Sequence, residues 1–217
     1  MRLETKQRTC TVLGLAFLVI FLLFTYMVMK YDAAPVGFGG SVIGFSRFNT
    51  AFHELFPGDK GCYAASETLG YICLMLAGAN AIIAIADFIR HRGIMNMHRR
   101  NIITMCYYAV VVAFYVLFEF VVINQRPTEA EASYPSSHTM LALCVLYSEF
   151  VLLGFAAERN RSWASVFRIV CIVAMLSMIA FRLLSGVHWF TDICGGILLS
   201  LSLMMFYRAC ICRFCER

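Results

Sequence analysis

Residues 10–29 read CTVLGLAFLVIFLLFTYMVM, a run in which no side chain carries a charge. A helix needs about 20 mainly apolar residues to cross the hydrocarbon core of a bilayer, and this run has that length. A secretory signal has a shorter apolar segment, of about 7–15 residues, followed by a cleavage site of small residues. Because Ala33-Ala34-Pro35 is a poor site of that kind, the run is interpreted as a retained transmembrane helix.

Five further stretches have the same character, and together they predict an all-α bundle of six transmembrane helices. The chain is 61% hydrophobic and only 14% charged, whereas soluble domains average about 45–50% apolar and about 25% charged residues. That composition excludes a water-soluble protein of this size. The predicted spans are 10–29, 69–89, 102–123, 140–157, 166–184 and 187–207.

The basic residues indicate the orientation of the bundle, because Lys and Arg are enriched in the short loops on the cytoplasmic side. With six spans, all four basic segments fall on one side, which is predicted to be the cytoplasm together with both termini. This topology explains the net charge of +5, and no nucleic-acid partner is expected. The segments contain Arg2, Lys6 and Arg8; Arg90, Arg92, Arg99 and Arg100; Arg159 and Arg161; and Arg208, Arg213 and Arg217.

The length of the chain allows one compact domain, residues 1–217. Its longest outer loop, residues 30–68, contains Phe48, Phe52, Leu55 and Phe56 at near-helical spacing. This pattern predicts an amphipathic segment on the membrane surface, and a loosely structured loop is an equally good interpretation of the same residues.

Polar residues gather at the predicted outer ends of the helices, where ionisable side chains are costly and usually functional. Arg126 and Arg182 would offer planar, permanently charged forks that match phosphate oxygens. Ser136, Ser137 and the start of the fourth helix would add hydroxyl and N–H donors, and a helix N-terminus favours an anion. These residues predict a phosphate site.

Two histidines and a carboxylate accompany that site. His188 and Asp192 are spaced i, i+4 and are expected on one face of the sixth helix. The carboxylate can then fix the tautomer of the imidazole and leave its other nitrogen free to attack. His138 remains available as a general acid and later as the base that activates water.

The order and spacing of these residues resemble the type-2 phosphatidic acid phosphatases, membrane-bound lipid phosphatases that share their fold and catalytic plan with the vanadium haloperoxidases. The family pattern has three parts, KxxxxxxRP, PSGH and SRxxxxxHxxxD. This chain has Arg126-Pro127, then Pro135-Ser136-Ser137-His138, then Arg182 with His188 and Asp192 at the family spacing. The resemblance covers nearly the whole chain, because the family core also has six helices.

The resemblance implies a role for each matched residue. His188 would be the nucleophile that forms a phosphohistidine, Asp192 its orienting partner, and His138 the acid and base. Arg126, Arg182 and Ser136 would hold the phosphate. The implied mechanism needs no metal and no cofactor.

Three positions depart from the family pattern. Phe181 stands where the family has Ser, Ser137 replaces the Gly of PSGH, and Glu119 stands where the family has its first Lys. A carboxylate near a bound phosphate repels it unless the carboxylate is protonated or paired. Glu119 could pair with Arg126, read a cation on the substrate, or mark a branch with weaker phosphate binding, and the sequence leaves these options open.

The function implied by the resemblance is hydrolysis of a lipid monophosphate or diphosphate, such as a polyprenyl diphosphate, phosphatidic acid or phosphatidylglycerophosphate. The expected partners are that lipid and the bilayer, and the site is expected to face away from the cytoplasm in a plasma or inner membrane. Two alternatives stay open, a lipid phosphotransferase on the same scaffold and a membrane binding protein whose site is altered by Glu119. The oligomeric state is not indicated. His53, His91 and His98 fit no pattern and are expected at the surface.

Overall fold

The computed structural model describes residues 2–156 and 161–216 of the chain. Residues 157 and 159, which belong to the predicted fourth span and to a predicted basic loop, lie outside these ranges, as does Arg217. The α-helices of the described residues are α1 (Arg2–Lys30), α2 (Ser46–Leu55), α3 (Lys60–His91), α4 (Arg99–Phe120), α5 (Ser137–Ala156), α6 (Arg161–Leu184) and α7 (Phe190–Phe214).

Six of these helices, all except α2, are long and apolar enough to cross a membrane. The prediction of an all-α bundle with six spans is therefore confirmed, and the chain is a multi-pass membrane protein. Of the most apolar window in each span, 50% is buried in α5 and 56% in α7, against 17% in each of the other four. Helices α5 and α7 therefore form the centre of the bundle, and the other four present most of their apolar surface outward.

Two helix boundaries differ from the predicted ones in ways that matter for the site. Helix α3 begins at Lys60, well before residue 69, because the carboxylate of Asp59 accepts a hydrogen bond from the N–H of Cys62 and caps the first turn. Helix α7 begins at Phe190, after His188. The prediction that His188 shares a helix face with Asp192 is therefore wrong. Hydropathy marks only the part of a helix that lies in hydrocarbon, and it does not detect such caps.

Two adjacent glycines of α7 let the segment before α5 rest directly on that helix. A methyl group on Gly195 would lie 2.5 Å from the ring of Tyr134, and one on Gly196 would lie 2.9 Å from the carbonyl oxygen of Ser136. The hydroxyl of Tyr134 also hydrogen-bonds to Thr25 of α1, at 2.8 Å. This packing fixes the segment that leads into His138.

The chain termini meet at one end of the bundle. Lys6 and Arg208 both lie against the carboxylate of Glu216, at 3.5 and 2.7 Å. Since six spans alternate in direction, the starts of α3, α5 and α7 lie at the other end. That the end with the termini faces the cytoplasm stays a prediction.

Helix α2 lies within the loop predicted for residues 30–68 and packs on the start of α7. The rings of Phe48 and Phe52 contact Phe190, with centroids 5.2 and 4.9 Å apart. Asn49 is fully buried and donates a hydrogen bond to the hydroxyl of Thr191, at 2.9 Å. A helix therefore exists at the predicted place, and its location at the membrane surface stays a prediction.

Candidate active site

His188 lies in the short connection between α6 and α7, where its imidazole is buried. Its Nδ1 lies 3.0 Å from the hydroxyl of Ser133, and that hydroxyl donates to Oδ2 of Asp192 at 2.5 Å. The direct distance between Nδ1 of His188 and Oδ2 of Asp192 is 4.0 Å, too long for a hydrogen bond. The carboxylate thus acts on His188 through Ser133 and not by the direct contact that the sequence predicted.

Asp192 is fully buried and held from three sides. Besides Ser133, it accepts hydrogen bonds from the side-chain amide of Asn124 and the backbone N–H of Trp189, both at 3.0 Å. Because Ser133 donates to Asp192, its oxygen is left to accept the Nδ1–H of His188. This relay selects the tautomer in which Nε2 carries the lone pair, and Nε2 is buried without a hydrogen-bond partner among the described residues.

Arg182 is the second element of the site and ends α6. Only 1% of its side chain is exposed. Its Nη1 donates to the hydroxyl of Ser66 at 3.1 Å and to the carboxylate of Glu67 at 3.0 Å. Its Nε is buried and has no partner within the described ranges, so one edge of the guanidinium is satisfied and the other is open.

His138, in the first turn of α5, faces the same carboxylate. Its Nε2 lies 3.2 Å from Oε1 of Glu67, while its Nδ1 is buried and unpartnered in the described part of the chain. The ring also packs tightly against α3, since a methyl group on Gly70 would lie 3.2 Å from its Cδ2. Glu67 therefore links Arg182 and His138.

Arg126 sits in the connection between α4 and α5. Its Nη1 pairs with Glu129 at 2.6 Å and with Glu131 at 3.2 Å, and its Nε is buried without a partner among residues 2–156 and 161–216. Glu119 lies exposed near the end of α4. Of the three options left open for Glu119, pairing with Arg126 is not the arrangement found, because Arg126 uses two other carboxylates.

The two remaining predicted phosphate ligands, Ser136 and Ser137, behave differently. Ser136 is fully buried, its N–H donates to the carbonyl oxygen of Asp192 at 2.9 Å, and its hydroxyl accepts from Thr139 at 3.0 Å. Ser136 thus ties the start of α5 to α7. Ser137 is the first residue of α5 and is partly exposed beside His138.

The separate residues act on one another electrostatically. The pKa of His188 is held well below its ordinary value of 6.5, first by burial and then by the positive charges of Arg182 and Arg126 and by His138. His188 is therefore neutral at physiological pH. Buried polar atoms are normally hydrogen-bonded. The open Nε–H groups of Arg126 and Arg182 are donors that an anion can satisfy, whereas Nε2 of His188 presents a lone pair in the tautomer described.

Three residues of this site belong to none of the motifs or patterns on which the sequence predictions rest. Ser133 and Asn124 are ordinary loop residues until the fold brings them to Asp192. The predicted outer loop, residues 30–68, includes Glu67, because the hydropathy of α3 rises only after it. A helix start at Asp59, read from its capping residue, could have placed Glu67 on the same face as Gly70.

A cavity of about 360 Å³ opens beside His138, between α3, α4 and α5. Glu67, Ser137 and His138 line its polar end, and most of the remaining lining is apolar, from Leu74, Val112 and Leu141 among others. Leu74 and Val112 are also about half exposed on the outer surface of the bundle. The groove therefore connects the charged site with the surface that faces lipid.

Comparison with known proteins finds a sequence family and a solved structure that resemble this chain. The sequence profile of the PAP2 superfamily matches residues 68–213. The transmembrane PAP2-type phosphatidylglycerolphosphate phosphatase from Bacillus subtilis has a similar solved structure, with a TM-score of 0.63 and 17% sequence identity over 91% of this chain and 94% of that one. No curated protein sequence matches the chain at a significant level.

Replacing Ser133 by Ala tests the relay. His188 would lose the acceptor that fixes its tautomer, so kcat for a phosphate ester is expected to fall by about 10–100-fold, the value of a charge-assisted hydrogen bond. KM is expected to change little. Ser202→Ala is the matched control, since Ser202 is a buried serine whose hydroxyl binds the carbonyl oxygen of Gly14 elsewhere. Equal kcat in Ser133→Ala and the control would contradict the relay.

The lowered pKa of His188 has a consequence for stability. Below pH 6.5 the unfolded chain takes up a proton at this residue and the folded chain does not, so stability is lost as the pH falls. Between about pH 7.5 and about pH 5.5, the Tm of the wild-type protein in detergent should fall more steeply than that of His188→Gln. Parallel Tm profiles would show that His188 titrates normally.

Proposed function

This chain belongs to the PAP2 superfamily, and from that membership we propose that it is a lipid phosphatase that works through a phosphohistidine on His188. The observation that carries the proposal is the set of four buried nitrogens without partners, on Arg126, His138, Arg182 and His188. Two of them belong to permanently charged groups, one to His138, and one to the neutral imidazole of His188, whose tautomer is fixed. A phosphoryl group satisfies this combination better than a neutral ligand does.

In the first step, Nε2 of His188 attacks phosphorus, and the bond between phosphorus and the leaving oxygen breaks. The imidazolium of His138 gives its proton to that oxygen, so the lipid leaves as an alcohol or, from a diphosphate, as a monophosphate. The guanidinium groups of Arg126 and Arg182 stabilise the negative charge on the remaining phosphoryl oxygens. The Ser133–Asp192 relay stabilises the positive charge that develops on His188.

In the second step, water replaces the histidine. The now neutral His138 takes a proton from water as the oxygen attacks phosphorus, and the bond between phosphorus and Nε2 breaks. Inorganic phosphate leaves, and both histidines return to their starting protonation states. The proposed steps use side chains alone and call for no metal ion.

The groove beside His138 supports a lipid as the substrate. A lipid phosphate has a charged head that fits the four nitrogens and an apolar chain that fits the lining between α3 and α4. The head would then sit at the end of the bundle opposite the chain termini. By the distribution of basic residues, this is the extracytoplasmic face, and the substrate classes are polyprenyl diphosphates, phosphatidic acid and phosphatidylglycerophosphate.

The test is phosphate release by the purified protein from a panel of these three lipids, with and without chelator. At least one lipid should be hydrolysed equally well in both conditions, and His188→Ala should reduce its kcat by at least about 10³-fold. Full activity in His188→Ala would overturn the mechanism. Lipid consumption with transfer products and no free phosphate would identify a phosphotransferase, and binding of all three lipids without turnover would identify a binding protein.

A further inference from the structure

We propose that Glu67 is a positioning residue for the acid His138, so that the site holds two imidazole–acid pairs instead of one. This inference rests on the proposed phosphatase function and concerns a residue outside the three matched motifs. Glu67 also lies one position before the segment, residues 68–213, that matches the family profile. Its assignment therefore comes from the geometry of this chain.

Three residues on one face of α3 form the surface against which the imidazole of His138 packs. Glu67 contacts its Nε2 at 3.2 Å, Gly70 leaves room for its ring, and Ser66 shares Arg182 with Glu67. Residues at i, i+3 and i+4 adjoin on a helix surface, so one helical turn supplies the carboxylate, the space and the hydroxyl. A side-chain methyl at position 70 would lie 3.2 Å from Cδ2 of His138, so the ring would have to shift by a few tenths of an ångström.

The carboxylate determines which nitrogen of His138 can act. If Nε2–H donates to Glu67, Nδ1 is the nitrogen that remains for the substrate, and Nδ1 is the buried atom that lacks a partner among the described residues. A carboxylate next to a histidine orients the ring and stabilises its protonated form. Glu67 therefore opposes the effect of the nearby Arg182 charge on His138 and orients the ring so that Nδ1 can face the leaving oxygen.

If Glu67 positions the acid His138, its removal should affect substrates differently according to their leaving group, which a purely structural role would not do. A poor leaving group, such as an alkoxide, needs the proton of His138 when its bond to phosphorus breaks. A nitrophenolate leaves without a proton. Removal of the carboxylate should therefore slow the first substrate far more than the second, whereas disturbance of Arg182 or of folding would slow both equally.

The experiment compares Glu67→Gln with wild type on two substrates, a long-chain alkyl phosphate and a nitrophenyl phosphate that carries the same alkyl chain. The measured quantity is kcat/KM, which reports the steps up to phosphoryl transfer to His188. We expect kcat/KM to fall about 10–100-fold more for the alkyl than for the aryl substrate, part of the usual contribution of a general acid. Glu54→Gln, which changes an exposed carboxylate of α2, is the matched control and should leave both values unchanged.

A second variant distinguishes loss of positioning from misfolding of Glu67→Gln. Gly70→Ala keeps Glu67 but displaces the ring of His138, and it should show the same difference between the two substrates. Equal losses on both substrates in both variants would overturn the inference. An equal rise in kcat/KM on both substrates would also overturn the inference, because it would show that Glu67 competes with phosphate for Arg182. If wild type hydrolyses neither substrate and no lipid phosphate, it is the proposed function that fails.

A different observation supports a second inference, at the opposite end of α3. We infer that Asp87, His91 and His98 form a site for a divalent transition-metal ion, separate from the reaction. Nδ1 of His91 and Nδ1 of His98 lie 3.0 and 2.7 Å from the same oxygen, Oδ1 of Asp87. The three ligand atoms all lie within 4.8 Å of one another. The expectation that both histidines lie at the surface is confirmed, since 36% of the His91 side chain and 56% of the His98 side chain are exposed, but both rings also contact Asp87.

The other oxygen of Asp87 is oriented as in a metal ligand. Oδ2 accepts the backbone N–H of His98 at 2.8 Å and the side-chain amide of Asn101 at 2.9 Å. Ligating carboxylates are typically held by such second hydrogen bonds. Nδ1 of His91 is also 3.0 Å from the carbonyl oxygen of Asp87, so this ring has a competing partner that the metal must displace.

The ligand set indicates which ion the site takes. Two imidazoles and one carboxylate suit Zn²⁺, Co²⁺ or Ni²⁺ more than Ca²⁺ or Mg²⁺. Tetrahedral Zn²⁺ holds its ligand atoms about 3.3–3.4 Å apart. Oδ1 of Asp87 and Nδ1 of His91 therefore have to separate by about 0.3–0.4 Å, and Oδ1 of Asp87 and Nδ1 of His98 by about 0.6–0.7 Å. Both rings are partly exposed, which leaves access for the ion and a position for water.

The test uses tag-free, chelator-treated full-length protein in detergent, titrated with Zn²⁺ by calorimetry and with Co²⁺ by visible absorption. One equivalent should bind, with a Co²⁺ spectrum of tetrahedral type and a rise in Tm with Zn²⁺. His98→Ala and Asp87→Asn should each abolish binding, and His53→Ala, a histidine at the other end of the bundle, should not. Absence of binding, or equal binding by all four proteins, would show that the cluster is only a hydrogen-bonded cap.

Discussion

The guanidinium group of Arg182 is almost completely buried, and the arrangement around it depends on how its charge is balanced. A buried charge is tolerated only when it is paired and hydrogen-bonded. Glu67 and Ser66 satisfy one edge of the group and leave its Nε open. Arg126 repeats the pattern with Glu129 and Glu131 on one edge and an open Nε. Each guanidinium group is thus paired with a carboxylate, yet each keeps a buried Nε donor available for an anion.

The two histidines also have one nitrogen with a partner and one without. In each ring one nitrogen is held, by the Ser133–Asp192 relay in His188 and by Glu67 in His138, and the other nitrogen is buried without a partner among the described residues. Polar groups that are oriented in advance within a buried site act more strongly on a developing charge than the same groups do in water. The proposed chemistry therefore depends on polar groups that the helix ends hold buried and in a fixed orientation.

The sequence predicted the six spans, because hydropathy can be read from the chain alone. The order of the three motifs and the alternating direction of the spans also predicted that the motif residues lie at one end of the bundle. The sequence did not predict the links between them. His188 precedes α7 and cannot share a helix face with Asp192, so a serine from another segment bridges the two. Glu67 lies on an extension of α3 that polar residues conceal from hydropathy. The cluster around Asp87 depends on a turn that brings His98 back to α3. In each case the missing information was a helix cap or a contact between distant segments.

Trapping the phosphoenzyme is the most direct measurement of the central claim. A ³²P-labelled lipid phosphate mixed with the enzyme and quenched within one turnover should leave a base-stable, acid-labile label on the peptide that contains His188. The phosphorus should be on Nε2, because Nδ1 is committed to Ser133, and ³¹P NMR separates the two isomers. Turnover without a phosphoenzyme, or a label on Nδ1 or on another residue, would contradict the account.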